Sequence, residues 1–212
     1  MHEINENGSI KKVDDADTSV GDRLLEKEDP MLKFAFLINV PGQSPETFSG
    51  TYENAESYNL VAGTDNMDMA LEFVDSLVKD GYTLLNLCGD FDDEITSKMR
   101  EAAGPDVKIR HADYLPEELV KVESLAEFSK YGMVIVMRGV EEPAEVVLHS
   151  DGFDAKAIFV KDQAQANEAA RKLAAEGMHD IELCSWFDKA KTEEVIRAIE
   201  GAVPVGTCGD IK

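Results

Sequence analysis

The pattern of apolar and polar positions divides the chain into short apolar runs and segments of helical periodicity. The first run, Met31-Leu-Lys-Phe-Ala-Phe-Leu-Ile, is short and almost wholly apolar, which favours a buried strand. One face of a predicted helix is formed by apolar residues three and four positions apart: Met67, Ala70, Leu71, Val74, Leu77 and Val78. Asn66 is the predicted N-cap of this helix, and Gly81 is expected to end it. The succession of strands and helices predicts an α/β fold.

This pattern occurs twice in the chain, 96 positions apart. Leu60–Thr96 aligns without a gap on Lys156–Thr192, and the matched pairs include Cys88 with Cys184. Asp162 replaces Asn66 as the predicted N-cap of the second repeat. Each unit predicts the element order ββαβαβ, and the alternating strands and helices require parallel pairing. The sequence therefore predicts two tandem ββαβαβ repeats with a mainly parallel sheet flanked by helices, arranged as an intramolecular pseudo-dimer.

The chain divides into four segments at these signals. Residues 1–30 are polar and acidic and are interpreted as a flexible extension, and residues 115–130 as a connecting helix. The repeats occupy residues 31–114 and 131–212. The connecting helix is expected to bury a stripe of four apolar residues, Leu119, Val122, Leu125 and Phe128.

Charge and cysteine content exclude several classes of function. The chain has 43 acidic and 21 basic side chains, a net charge of −22, which argues against binding to nucleic acids or anionic membranes. Its 3 cysteines form neither a disulfide framework nor a zinc-binding spacing. The start of the sequence does not resemble a signal peptide, and no run is long enough for a membrane span. We therefore expect a cytoplasmic protein without a bound metal.

Two short motifs resemble a known family. The stretch Asp180-Ile-Glu-Leu-Cys-Ser-Trp-Phe, followed by a helix and then Val203-Pro-Val-Gly, resembles a family of small uncharacterised bacterial proteins, domain of unknown function 6506. The resemblance implies a tandem fusion of two such domains. The first repeat has Asn86 where the family pattern has Glu, and the second has Ser185 and Trp186 in place of glycines. The family supplies no established activity.

A binding site is expected beyond the carboxyl ends of the strands, where ligands bind in open parallel sheets. The segments predicted to lie there contain the candidate ligand-binding residues: Asn39, Gly42, Cys88, Gly89, Asp90, Phe91, His111, Arg138, Ser185, Trp186 and Phe187. Asp92 and Asp188 also follow strands, but their position favours helix N-caps over acid–base residues.

Cys184 and Glu182 are the candidate catalytic residues. Because residues two apart on a strand share a face, the thiol and the carboxylate are predicted to point the same way and could form a proton-transfer pair. The alternative is that the matched cysteines pack as small apolar residues in the core.

Three functions remain open at this point. The first is a cytosolic module that binds a small molecule or a protein at the strand ends. The second is a cysteine-dependent enzyme that uses Cys184 with Glu182 on a small carbonyl or thioester-like substrate. The third is an assembly or scaffold protein, and a homo-oligomer is compatible with all three. The sequence identifies no cofactor.

Overall fold

The structure is a computed structural model that describes residues 31–211, and the statements below concern that part of the chain. The predicted flexible extension, residues 1–30, lies outside the described residues.

The first repeat forms a five-stranded sheet. Its elements are β1 (Leu32–Asn39), β2 (Ser49–Glu53), β3 (Ser57–Thr64), α1 (Met67–Lys79), β4 (Leu84–Leu87), α2 (Asp93–Ala103) and β5 (Lys108–His111). The strands lie in the order β2-β3-β1-β4-β5, and only β2 is antiparallel to its neighbour.

The second repeat forms a six-stranded sheet with one strand taken from the preceding segment. Its elements are β6 (Asp113–Tyr114), α3 (Pro116–Glu123), β7 (Lys130–Val136), β8 (Ala144–His149), β9 (Asp154–Val160), α4 (Gln163–Ala175), β10 (Asp180–Leu183), α5 (Lys189–Ala198) and β11 (Val205–Thr207). The order is β6-β11-β10-β7-β9-β8, with β6 and β8 antiparallel to their neighbours.

This architecture confirms the predicted class: two mainly parallel sheets flanked by helices. The prediction missed β2 and β8, which add one antiparallel strand to each repeat. Along β2, Ser-Gly-Thr-Tyr-Glu alternates between exposed and half-buried positions and contains no apolar run. Hydrophobic periodicity therefore could not distinguish this edge strand from a loop.

The capping residues predicted from both repeats are confirmed. Asn66 accepts a hydrogen bond from the Met69 backbone N–H at 3.0 Å, and Asp162 accepts one from Gln165 at 2.9 Å. Asp92 and Asp188 cap α2 and α5 in the same way, at 2.8 and 3.0 Å. Each carboxylate or amide oxygen satisfies a backbone donor that the first helical turn leaves without a partner.

The connecting segment differs from its prediction. Its helix is limited to Pro116–Glu123, and the apolar stripe expected on residues 115–130 is not buried: Leu119 is 45% exposed and Phe128 is 44% exposed. The buried residue of α3 is Glu118. A three-residue spacing of apolar residues was therefore a poor guide here, because this helix contributes a polar contact to the sheet edge.

The two sheets pack against each other through one face each. Consecutive residues Phe34–Ile38 on β1 are all buried, so both faces of the first sheet are covered. Aromatic rings join the two repeats, with Tyr52 and Phe159 centred 5.0 Å apart. Helices cover the opposite face, where the buried residues of α1 are Ala70, Val74 and Leu77. The core is therefore continuous between the repeats, and the faces in contact are called the inner faces.

Strand β6 carries the chain from the first repeat onto the second sheet. Tyr114 pairs with Gly206 of β11, and its ring lies over that glycine. A β-carbon on Gly206 would lie 2.7 Å from the Tyr114 ring, closer than packed side chains allow. This close approach explains the glycine of the Val203-Pro-Val-Gly motif.

We expect Gly206→Ala to lower the free energy of unfolding by about 1–3 kcal/mol, because the added methyl group forces the Tyr114 ring to move. Denaturant unfolding measures the change. Gly152→Ala is the control, since a β-carbon on that glycine would have no heavy atom within 4 Å. Combining Gly206→Ala with Tyr114→Ala should remove most of the penalty, and an undiminished penalty would contradict the contact as its cause.

Candidate functional site

The repeats exchange a pair of equivalent hydrogen bonds across the inner faces. Glu182 Oε1 on β10 accepts from the Gly89 backbone N–H at 2.8 Å, in the loop that follows β4. Asn86 Oδ1 on β4 accepts from the Ser185 backbone N–H at 2.9 Å, in the loop that follows β10. Positions 86 and 182 correspond in the internal repeat, as do positions 89 and 185. Each repeat therefore holds the strand-to-helix loop of the other.

Glu182 lies in a buried polar cluster that also contains Asp180, Tyr114 and Tyr131. Asp180 and Glu182 are 0% and 1% exposed. The Tyr114 hydroxyl lies 2.7 Å from Asp180 Oδ2 and 2.7 Å from Glu182 Oε1. The Tyr131 hydroxyl donates to Glu182 Oε2. β6, β7 and β10 each contribute to this cluster, so it forms only when the first repeat's crossing segment lies on the second sheet.

The number of protons in the cluster follows from its geometry. A phenol has one proton, so Tyr114 can donate to only one of its two carboxyl neighbours. The other short contact requires a carboxyl group that donates to the phenol oxygen. Glu182 already accepts from Gly89 and Tyr131, which favours its ionised form, whereas Asp180 Oδ1 has no partner. We infer that Asp180 is protonated and donates a hydrogen bond to the Tyr114 oxygen, and that the Tyr114 hydroxyl donates its own hydrogen bond to Glu182.

Burial raises the pKa of both carboxyl groups. Desolvation is the main cause for Asp180, whose pKa lies well above its usual range, and the charge of Glu182 adds to the shift. Desolvation also raises the pKa of Glu182 to about 7, although hydrogen bonds from Tyr131, Tyr114 and Gly89 lower it in part. The folded protein therefore holds a proton here that the unfolded chain releases at neutral pH.

The corresponding place in the first repeat lacks this chemistry. Leu84, Asn86 and Arg110 of the first repeat are equivalent to Asp180, Glu182 and Gly206 of the second, and they occupy the same places in the strand pairing of their own sheet. The inner face of the first sheet thus has a neutral amide where the second has a carboxyl pair. The two halves are similar in backbone but differ in their buried charge.

The three thiols are buried. Cys88 and Cys184 are each 3% exposed, and Cys208 is 1% exposed. Desolvation raises the pKa of Cys184 to about 11, and it raises the pKa of Cys88 and Cys208 well above the usual range. A buried thiol with a raised pKa is not nucleophilic at neutral pH. The catalytic use of Cys184 with Glu182 stays a prediction that burial and the raised pKa of the thiol disfavour. The thiol is directed at the Val136 carbonyl, 3.9 Å away.

Several predicted ligand-binding residues surround the end of β1. The Asn39 backbone N–H donates to Cys88 Sγ at 3.3 Å, and Asn39 Nδ2 donates to Asp90 Oδ2 at 3.2 Å. Phe91 is buried beside them, whereas Gly42 lies apart on an exposed turn, where its N–H donates to Asp65. These contacts organise the loop after β1 around Cys88 and Asp90.

The candidates of the second repeat do not converge. The Arg138 carbonyl accepts from Asn54 Nδ2 at 3.1 Å, which ties this residue to the first repeat. Trp186 is 41% exposed, and the Lys191 ammonium lies 4.7 Å from its ring centroid. Phe187 is fully buried. Ser185 contributes its backbone N–H to the reciprocal contact described above.

His111 lies in an open cleft of about 840 Å³ along β5. Its side chain is 8% exposed, with Nδ1 3.1 Å from Thr96 Oγ1 and Nε2 3.3 Å from Asp113 Oδ1. The opposite wall is formed by the residues after β11, Cys208 to Ile211. Two of the segments expected at strand ends, one from each repeat, therefore border the same cleft.

Sequence reasoning missed Tyr114, Tyr131 and Asp180. The sequence analysis gave none of them a role in a site, because nothing in a single sequence shows which loops and strands meet between two repeats. One signal was present: Tyr114 and Glu182 occur where the repeats differ, since the aligned positions hold Asp210 and Asn86. Departures from an internal repeat thus marked the residues that give the second half its own chemistry.

The fold and its inter-repeat contacts define a duplicated α/β protein with fused halves. The chain belongs to a family of unknown function, DUF6506, whose sequence model matches residues 32–127 and again residues 129–209. This confirms the resemblance that the motifs indicated and the tandem duplication of the family's domain. No curated protein matches the sequence.

Solved structures give only weak likenesses. A conserved domain protein from Vibrio cholerae matches with a TM-score of 0.28 and 13% identity, over 82% of this chain and 73% of that chain. An NtrC family transcriptional regulator from Clostridium acetobutylicum matches with a TM-score of 0.29 and 12% identity, over 87% and 90%. A carbohydrate transporter from Acidothermus cellulolyticus, in complex with myo-inositol, matches with a TM-score of 0.28 and 9% identity, over 84% and 74%. Likenesses this low carry no argument about function.

Within residues 31–211, none of the helices has both the length and the apolar character needed to span a bilayer.

The buried carboxyl pair predicts that stability falls as pH rises. The folded-state pKa values of Asp180 and Glu182 are raised, so their contribution is fully present below the unfolded values near pH 4 and is lost as pH rises through about 7 and beyond. Each proton adds a slope of about 1.4 kcal/mol per pH unit. Asp180→Asn should flatten the dependence and gain stability relative to the native protein as the pH rises above about 4, the unfolded pKa of aspartate. Urea unfolding across pH measures it, with exposed Asp106→Asn as control, and parallel curves for the native and Asp180→Asn proteins would refute the shared proton.

Thiol burial predicts slow alkylation of the folded protein. Cys88, Cys184 and Cys208 should react with iodoacetamide at least about a hundredfold more slowly at pH 8 than in a denatured sample, because their thiolates are disfavoured. Mass spectrometry of the labelled peptides resolves the three sites. Rapid labelling of Cys184 alone, in protein that remains folded by circular dichroism, would instead support the cysteine-dependent enzyme.

Proposed function

We propose that this protein is a binding module whose site is the cleft between β5 and the residues after β11. The observation that carries the proposal is that this cleft, which runs along β5, includes its carboxyl end, where His111 and Asp113 meet Cys208 to Ile211. Ligands of open parallel sheets bind at such strand ends. The cleft also draws its walls from both repeats, so it forms only when the two halves are associated.

The lining of the cleft favours a ligand with polar or charged groups. Basic side chains are concentrated here in an otherwise strongly acidic chain: Arg100, Lys108 and Arg110 all border the cleft. Acidic residues Asp93, Glu101, Asp113 and Asp210 border it as well. Apolar surface from Val107, Ile109 and Ile211 lies between these charges. Charged groups of both signs around a small apolar surface can orient a polar ligand, and they suit such a ligand better than a large apolar one.

His111 is well placed to respond to a ligand. Its Nε2 lies 3.3 Å from Asp113 and 3.8 Å from the more exposed Asp93. A ligand that contacts either carboxylate would change the environment of the imidazole, which therefore serves as a reporter of occupancy.

Nuclear magnetic resonance tests the proposal directly. We expect a library of small carboxylates, amino acids and short peptides to contain members that shift the amide resonances of Ile109 to Asp113 and of Cys208 to Asp210. Glu101→Trp should block these shifts, because Glu101 is exposed on α2 and borders the cleft. Lys98→Trp is the matched control, since it lies on the same helix and does not border the cleft.

The result that would overturn the proposal is a library in which no member shifts the cleft amides. Shifts that persist unchanged in Glu101→Trp would also place binding elsewhere.

A further inference from the structure

The outer edge of β11 is closed by the first repeat. β6 pairs with it, Thr207 opposite Asp113 and Gly206 opposite Tyr114. Immediately afterwards α3 begins, and Glu118 Oε2 accepts from the Val205 backbone N–H at 3.0 Å. Lys121 balances the buried Glu118 carboxylate, with Nζ 2.7 Å from Oε1. A short antiparallel strand and one carboxylate thus complete this sheet edge.

The equivalent edge of β5 has no such cover within residues 31–211, where β5 is the end strand of its sheet. Lys108 and Ala112 direct their N–H groups to Thr83 and Leu87 of the first repeat, at 2.8 and 2.9 Å. Because alternate residues of a strand point their backbone groups to opposite sides, Ile109 and His111 direct theirs to the outer edge. These are the positions equivalent to Val205 and Thr207.

The chain that would cover β5 by internal symmetry turns away from it. Residues Gly209 and Asp210 correspond to Asp113 and Tyr114, but they bend back on their own repeat. The Asp210 carbonyl accepts from the Lys189 N–H at 3.1 Å. A β-carbon on Gly209 would lie 1.5 Å from the Phe187 carbonyl oxygen, so only glycine permits this close return. The bend leaves the cleft between this segment and β5.

We propose that the cleft binds an extended acidic segment of a partner protein, which adds an antiparallel strand to β5 as β6 does to β11. This inference rests on the proposed function and names its ligand. Addition of a strand to a sheet edge is an established mode of peptide recognition, in which backbone hydrogen bonds supply affinity and side-chain sites supply specificity.

Two arginines, Arg110 and Arg100, favour carboxylates at two positions of the segment, although the cleft as a whole has mixed charge. Arg110 takes the place of Gly206, so the partner residue opposite it meets a guanidinium group instead of the open space that holds Tyr114. A carboxylate can pair with that guanidinium, whereas a tyrosine ring would collide with the arginine side chain. Arg100, whose Nε donates to the Ile109 carbonyl at 2.7 Å, supplies a cation beside the N–H equivalent to that of Val205. The Arg100 guanidinium can therefore balance the charge of a partner carboxylate that binds this N–H as Glu118 binds that of Val205.

The chain's own closing segment provides the probe. We would use a labelled peptide of residues 112–123 with Tyr114→Asp, so that an aspartate faces Arg110. Fluorescence anisotropy with the full chain should show saturable binding. Hydrogen exchange should show protection of the His111 amide, which pairs with the added strand, and of the Ile109 amide, which binds the peptide carboxylate equivalent to Glu118. A peptide that also carries Glu118→Gln should bind at least about tenfold more weakly.

A charge swap makes the register testable. Arg110→Glu should weaken the aspartate peptide at least about tenfold, and the peptide with Tyr114→Lys should recover binding to that variant. Lys98→Glu changes the net charge of the protein equally, away from the cleft, and should leave affinity within about twofold.

Each outcome separates this inference from the proposed function. If small molecules shift the cleft amides but the peptide does not bind, the binding module stands and the added strand is refuted. Equal binding of a scrambled peptide, failure of the charge swap, or peptide binding without added protection of the Ile109 and His111 amides would each overturn the inference.

Discussion

The association of the two sheets depends on a buried carboxyl group that must be hydrogen bonded. Glu182 has no access to water, so its oxygens require donors from the surrounding protein. Those donors come from Gly89 in the first repeat, Tyr114 in the crossing segment and Tyr131 on the neighbouring strand. A relative shift of the repeats would leave the carboxyl unsatisfied, which costs more than a lost apolar contact. The cluster therefore sets the register between the halves, while the apolar inner faces supply most of the attraction.

The asymmetry of this cluster has a physical reason. Two carboxyl pairs on facing sheets would double the desolvation penalty and place four acidic groups in one core. The first repeat instead carries Asn86, which makes the equivalent contact to Ser185 without a charge. The neutral amide keeps the backbone contact that joins the repeats. The carboxyl pair occurs only in the second repeat, where the Tyr114 hydroxyl hydrogen bonds to both Asp180 and Glu182.

Features decided by neighbouring residues could be predicted from the sequence, whereas contacts between the repeats could not. The four N-caps and the strand–helix order follow from residue types at short spacing, because capping and periodicity are decided within one or two turns. Strand β2 was missed because its polar residues carry no apolar signal. His111 was placed correctly at a strand end, but the residues that share its cleft come from the other repeat. Tyr114 could not be assigned, since its partners lie more than 60 positions away, on another strand of the second sheet.

The path of the segment after β5 determines how many of the two equivalent sheet edges are open to a further strand. In a pair of identical, separate units, both equivalent sheet edges would be closed or both would be open. Here residues 112–123 close the edge of β11, whereas the bend at Gly209 leaves that of β5 open. A pair with two open edges could cross-link its partners into chains. Within residues 31–211 only the β5 member of this pair of edges is open, so the strand addition proposed above would end at a one-to-one complex.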